Sequence, residues 1–109
     1  MSDALAKRSE LFSKLAQHNQ QIAAYYQRRN QYEAAVARYL SVNELYPEAK
    51  ESAESLYKAA YILQYDLKNP DAAIEIYTKI VEQKPDSPFA KTAQAQLDTI
   101  QTTKVDGED

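Results

Sequence analysis

The chain has 109 residues, no cysteine, one glycine and a net charge of −3. A domain of this size buries only about 60–70% of the surface its unfolded chain exposes, so it is a single small domain of modest stability. The lack of cysteine excludes a disulfide frame, a thiolate metal site and a cysteine nucleophile. A body rich in Ala, Leu, Gln, Glu and Lys excludes all-β architectures.

The first helix is expected from Ser2 or Asp3 to about Arg29, on the apolar positions Leu5, Leu11, Phe12, Leu15, Ile22 and Tyr26. Asn30 and Gln31 lead into a second helix on Ala35, Tyr39, Val42, Leu45 and Tyr46, which Pro47 ends. The turn is short, so the two helices must lie antiparallel. A third helix, from about Ala49 to Tyr65, buries Ala53, Leu56, Ala59, Ala60 and Leu63. Asn69 then caps a fourth, with Pro70 at its first position and Asp71 complementing the dipole. That helix runs to about Lys84 on Ala73, Ile74, Tyr77, Ile80 and Val81. Ser87 and Pro88 repeat the device and open a fifth helix to about Thr102, on Phe89, Ala90, Ala93, Leu97 and Ile100. Residues 103–109 have no periodicity and an acidic end, and are expected to be a disordered tail.

Ala34, Ala35, Tyr39, Val42 and Pro47 recur as Ala72, Ala73, Tyr77, Ile80 and Pro85, each displaced by 38 residues. Helices 3 and 5 share a spacing too, with Ala53, Leu56, Ala60 and Leu63 recurring 37 residues later. A period of this size, one helical hairpin long, marks a solenoid whose units cannot bury their faces alone.

Tyr26, Tyr32, Ala35, Tyr39, Val42 and Pro47 stand at the spacings of the tetratricopeptide repeat, which this chain resembles over roughly residues 16–101. The phrases at 46–54 and 84–93 resemble the lengthened repeats of bacterial cell-envelope members, notably the outer-membrane assembly lipoprotein and the Tol-Pal coordinator. The resemblance implies an all-α, right-handed superhelix of antiparallel hairpins with five helices, two repeats and a C-terminal capping helix. Its divisions are a single domain over 1–102, made of an N-terminal extension (3–15), repeat 1 (16–47), repeat 2 (48–85) and the cap (87–102). Compared with the usual repeat of about 34 residues, about three extra residues fall in 47–52 and one in 66–69.

Chemistry has little to work with. His18 is the only histidine, the carboxylates are spread singly, and there is no glycine loop to cradle a phosphate, so no enzyme activity, cofactor or metal site is expected. Glu51 and Glu54 read as dipole partners at the start of helix 3. Lys7-Arg8 and Arg28-Arg29 are the only basic doublets, which argues against a nucleic-acid partner. No segment is apolar enough for direct membrane insertion or for a leader. As written the protein therefore reads as cytoplasmic, and as periplasmic or envelope-associated if it is a piece of a longer chain.

Repeats of this family turn the first helix of each pair toward a concave groove, which implies a protein or peptide partner held there. On helix 3 the groove would show Tyr57, Tyr61 and Tyr65, spaced by four; tyrosine combines a large apolar face, a polar tip and few rotamers to freeze. Helix 1 would add Gln17, Gln21 and Arg28, beside Gln20, Ala24 and Gln27. Gln20 and Ala24 stand where chaperone-binding members carry a lysine and an asparagine, so the clamp for a C-terminal carboxylate is missing. The alternative function is a structural homo-oligomer, assembled through Leu5 and Phe12 on the extended first helix.

Overall fold

The computed structural model describes residues 2–108, with side chains over 7–102. Five helices follow in order: α1 (Ser2–Arg28), α2 (Tyr32–Leu45), α3 (Glu51–Tyr65), α4 (Pro70–Gln83) and α5 (Pro88–Glu108). Each packs on the next, and α1 touches α3 as α3 touches α5. The odd-numbered helices therefore form one layer and α2 and α4 the other, in a slab 59 × 32 × 16 Å.

Local chemistry sets the ends. Pro70 occupies the first turn of α4, where its missing N–H costs nothing, and Asn69 Oδ1 accepts the Ala72 N–H at 3.2 Å. Ser87 Oγ accepts the Phe89 N–H at the start of α5. The turns inside the two hairpins each use one residue in the left-handed region, Asn30 (φ 62°) and Lys68 (φ 53°), which are 38 positions apart. After α1 the Gln31 N–H reaches back to Tyr26 O at 2.9 Å, satisfying a carbonyl the helix leaves free. The loops between hairpins are also copies: Ala49 N to Tyr46 O and Ser87 N to Lys84 O are both 3.0 Å.

The core is continuous through the stack. Ala23, Ala35, Val36, Tyr39, Ala59 and Ile62 fill the junction of α1, α2 and α3. Leu56, Ala60, Tyr77, Ile80, Ala93 and Leu97 fill that of α3, α4 and α5. Alanines at the crossings let backbones approach while the two tyrosines fill what remains, and each fully buried large apolar side chain contributes about 1.5–3 kcal/mol.

The structure corrects four expectations. First, α1 packs on α2 through Ala16, Asn19 and Ala23, while Leu11 of α1 is 53% exposed and Leu45 of α2 is 60% exposed. Their apolar pattern belongs to a side of the first hairpin that no described helix covers. Second, α5 relates to α3 by 38 residues, not 37, as the loop hydrogen bonds before them show. Ala93, Leu97 and Ile100 therefore match Ser55, Ala59 and Ile62, which face the preceding hairpin, and not Leu56, Ala60 and Leu63. Slipping by one residue exchanges one helix face for its neighbour. In this register Gln94, Asp98 and Gln101, all exposed, stand where α3 carries Leu56, Ala60 and Leu63, so the outer side of α5 is polar. Third, α5 continues past Thr102 to Glu108, because no helix breaker precedes Gly107; the expected disordered tail is helical in backbone that far, and Asp109 lies outside the described residues. Fourth, Glu51 is not a solvated dipole partner but is 6% exposed, in the junction described next.

Candidate protein-binding groove

Two sets of polar contacts join α1 to α3. Ser13 Oγ and Gln17 Nε2 donate to Glu51 Oε2 at 2.6 and 2.8 Å, and Gln20 Nε2 donates to Glu54 Oε1 at 2.8 Å and Ser55 Oγ at 2.9 Å. Burial pushes the Glu51 carboxyl up, but the bonds from Ser13, Gln17 and its own amide, with the Lys50 charge, outweigh it and hold the group below its ordinary value. Its other oxygen, Oε1, is buried with no partner among the described residues. Sequence reading missed this junction because small polar residues such as Ser52 and Ser55, both fully buried, give no periodic signal.

Beside the junction lies an open hollow of about 520 Å³. Ala24, Gln27 and Arg28 of α1 form one wall; Glu54, Tyr57, Lys58 and Tyr61 of α3 form the other; Tyr39 of α2 and Phe89 of α5 complete it. The Tyr57 ring is half-buried, with centroids 5.7 Å from Tyr77 and Phe89 and 6.3 Å from Tyr61. Tyr61 and Tyr65 pack with centroids 4.5 Å apart and planes tilted by 47°, remain 44% and 46% exposed, and Tyr65 Oη donates to Gln96 Oε1 of α5. The rings thus form a ladder that is anchored at Tyr57 and open to solvent at Tyr61 and Tyr65.

Beneath the ladder, Tyr39 Oη donates to Gln27 Oε1 at 3.2 Å and Tyr77 Oη to Gln64 Oε1 at 2.7 Å. Burial raises the pKa of both phenols, with Glu54 adding to the effect at Tyr39 and the neighbouring tyrosines Tyr57, Tyr65 and Tyr61 at Tyr77. Both therefore remain neutral donors that hold the floor of the groove in place.

Of the residues expected to bind a partner, the structure brings Arg28, Tyr57 and Tyr61 together around the hollow and sets Tyr65 against Tyr61. Gln17 is occupied by Glu51, and Gln21 is exposed but not part of the wall. Glu54, Lys58 and Phe89 were not anticipated there; the signal for the first two was the spacing 54, 57, 58, 61, which is one face of a helix, whereas Phe89 comes from α5 and had no local signal. Phe12 rests against Tyr46, with centroids 5.7 Å apart, and the side chain of Leu5 lies outside the described residues.

Among the described residues there is no group of three or more His, Asp or Glu able to hold a metal, and no helix long and apolar enough to cross a membrane. The model of a family described as YfiO, outer membrane lipoprotein, matches residues 1–65, and a tetratricopeptide repeat model matches residues 54–87. No curated protein matches the chain.

Proposed function

From the premise that the chain belongs to the YfiO outer membrane lipoprotein family, we propose that it is a cell-envelope adaptor whose groove between α1 and α3 captures a peptide or helix of a partner protein. Tetratricopeptide domains are in general protein-interaction modules and not enzymes. The observation that carries the finer reading is the tyrosine ladder: two rings left nearly half exposed, held by a third that is locked into the core. Rings fixed before binding lose little entropy on contact, and desolvating their exposed faces rewards an apolar side chain placed against them. Arg28 and Lys58 on opposite walls add charge that orients what enters.

The test is selection of peptides from a displayed random library against the intact chain, followed by titration of the best binder against Tyr61→Ala and Tyr65→Ala. Each variant is expected to fold normally and to bind at least about tenfold more weakly, the loss typical of an aromatic hot spot. Selected peptides that bind both variants as well as the unaltered chain would move the site elsewhere.

A further inference from the structure

The three odd-numbered helices each carry a row that faces the preceding hairpin. On α3 it is Ser52, Ser55, Ala59 and Ile62, all buried against α2 and α1. On α5 it is Ala90, Ala93, Leu97 and Ile100, packed in the junction with α4. The same row can be placed on α1, because the hairpins superpose through paired hydrogen bonds: Tyr39 to Gln27 and Tyr77 to Gln64 put α1 and α3 37 residues apart. Leu15, His18, Ile22 and Tyr25 are then the counterparts. No described helix covers them: Leu15, His18 and Tyr25 are exposed and Ile22 is half-buried.

The row extends two turns toward the N-terminus and one turn toward the C-terminus. Lys7, Leu11, Leu15, His18, Ile22, Tyr25 and Arg29 follow alternating steps of four and three after the first two, the seam by which one helix receives another. Its middle is largely apolar and its ends are basic, and Arg29 lies over the Tyr25 ring at 5.4 Å. Between residues 7 and 29 the chain has five basic side chains against one carboxylate, Glu10, although its overall charge is −3. A second copy on this seam would meet like charge in either direction, since antiparallel pairing opposes Lys7 to Arg29 and parallel pairing opposes each to itself.

We infer that this face of α1 is a docking site for an acidic amphipathic helix of a partner, lying antiparallel to α1 as α2 lies on α3 and α4 on α5. Two observations support it independently of the tyrosine groove: the same row is covered by an even-numbered helix at both other places in the stack, and the charge on α1 calls for the opposite sign. α4 itself shows the form such a helix takes, with Ala73, Tyr77 and Ile80 inward and Asp71, Glu75 and Glu82 against a single lysine, Lys79.

A stapled peptide with the sequence of residues 70–83 is therefore the probe, titrated into the intact chain. Saturable binding is expected, with at least a tenfold loss when Asp71, Glu75 and Glu82 of the peptide are changed to lysine, and a similar loss in the Leu11→Ser/Leu15→Ser protein. Both leucines are more than a third exposed, so the variant keeps its core, and circular dichroism checks this. Tyr61→Ala is expected to leave this binding unchanged, which separates the site from the groove. The inference is overturned if the acidic peptide does not bind at millimolar concentration, if the lysine peptide binds equally, or if the leucine variant binds as before. It is also overturned if light scattering shows that the chain dimerises through the leucines, or if vesicles of phosphatidylcholine and phosphatidylglycerol take up the protein through them in preference to the peptide.

Discussion

Ser13 Oγ donates to Glu51 Oε2 at 2.6 Å, tying the first helix to the third across 38 residues of sequence. Gln17 donates to the same oxygen. A buried carboxylate accepting two bonds inside a junction is worth more than an exposed ion pair, because both bonds are charge-assisted and shielded from water at the carboxylate.

Glu51→Ala is accordingly expected to cost about 1–3 kcal/mol in urea unfolding, the loss typical of hydrogen bonds made to a charged group. The pH dependence has a fixed sign. Folding lowers this carboxyl from 4.5, so its contribution is fully present above that value and is lost as pH falls through the lower, folded-state value. Melting temperature should therefore drop on acidification below pH 4.5, and Glu51→Gln should flatten that part of the profile. An identical acid limb in the variant would remove Glu51 as its source.

Tyr77→Phe tests the floor of the groove. It deletes the hydroxyl that Gln64 accepts while keeping the ring, and about 1 kcal/mol should be lost. Tyr39→Phe does the same at Gln27, where the bond is longer at 3.2 Å, and a smaller loss is expected. Differential scanning calorimetry reads both; in a domain of this size 1 kcal/mol moves the midpoint by about 4–8 °C.

Lys68→Gly should raise stability by about 0.5–1 kcal/mol, since a lysine at φ 53° suffers the Cβ clash that glycine avoids. The equivalent change at Asn30, φ 62°, should stay within about 0.5 kcal/mol, because asparagine tolerates that region. Equal gains at both positions would mean that the strain assigned to Lys68 is absent.

Much of this architecture was legible from residues that local physics compels. Asn69-Pro70 and Ser87-Pro88 could only open helices, and the recurrence of Ala35, Tyr39 and Val42 as Ala73, Tyr77 and Ile80 gave the repeat; all six are buried. Tyr61 and Tyr65 were expected on the groove because they lie beside the apolar stripe and not within it. What stayed hidden depended on neighbours distant in sequence. Glu51 read as a dipole partner, and Ser52 and Ser55 gave no signal, because their burial comes from α1 and α2. Leu11 and Leu45 read as part of the inward stripes because an apolar period cannot show which helix, if any, lies opposite. The one-residue slip between α3 and α5 had the same origin: α3 is apolar on two adjacent faces, the single apolar row of α5 fits either, and only the loop hydrogen bonds decide between them.

The polar outer side of α5 bears on how large an assembly can become. Growth into a filament needs two adhesive ends, each accepting the other without limit. Here Gln94, Asp98 and Gln101 make the outer side of α5 polar among the residues whose side chains are described, whereas the uncovered face of α1 is largely apolar. The apolar face of α1 therefore finds no matching apolar row on the described part of α5 in another copy, so head-to-tail stacking of these five helices does not propagate as concentration rises.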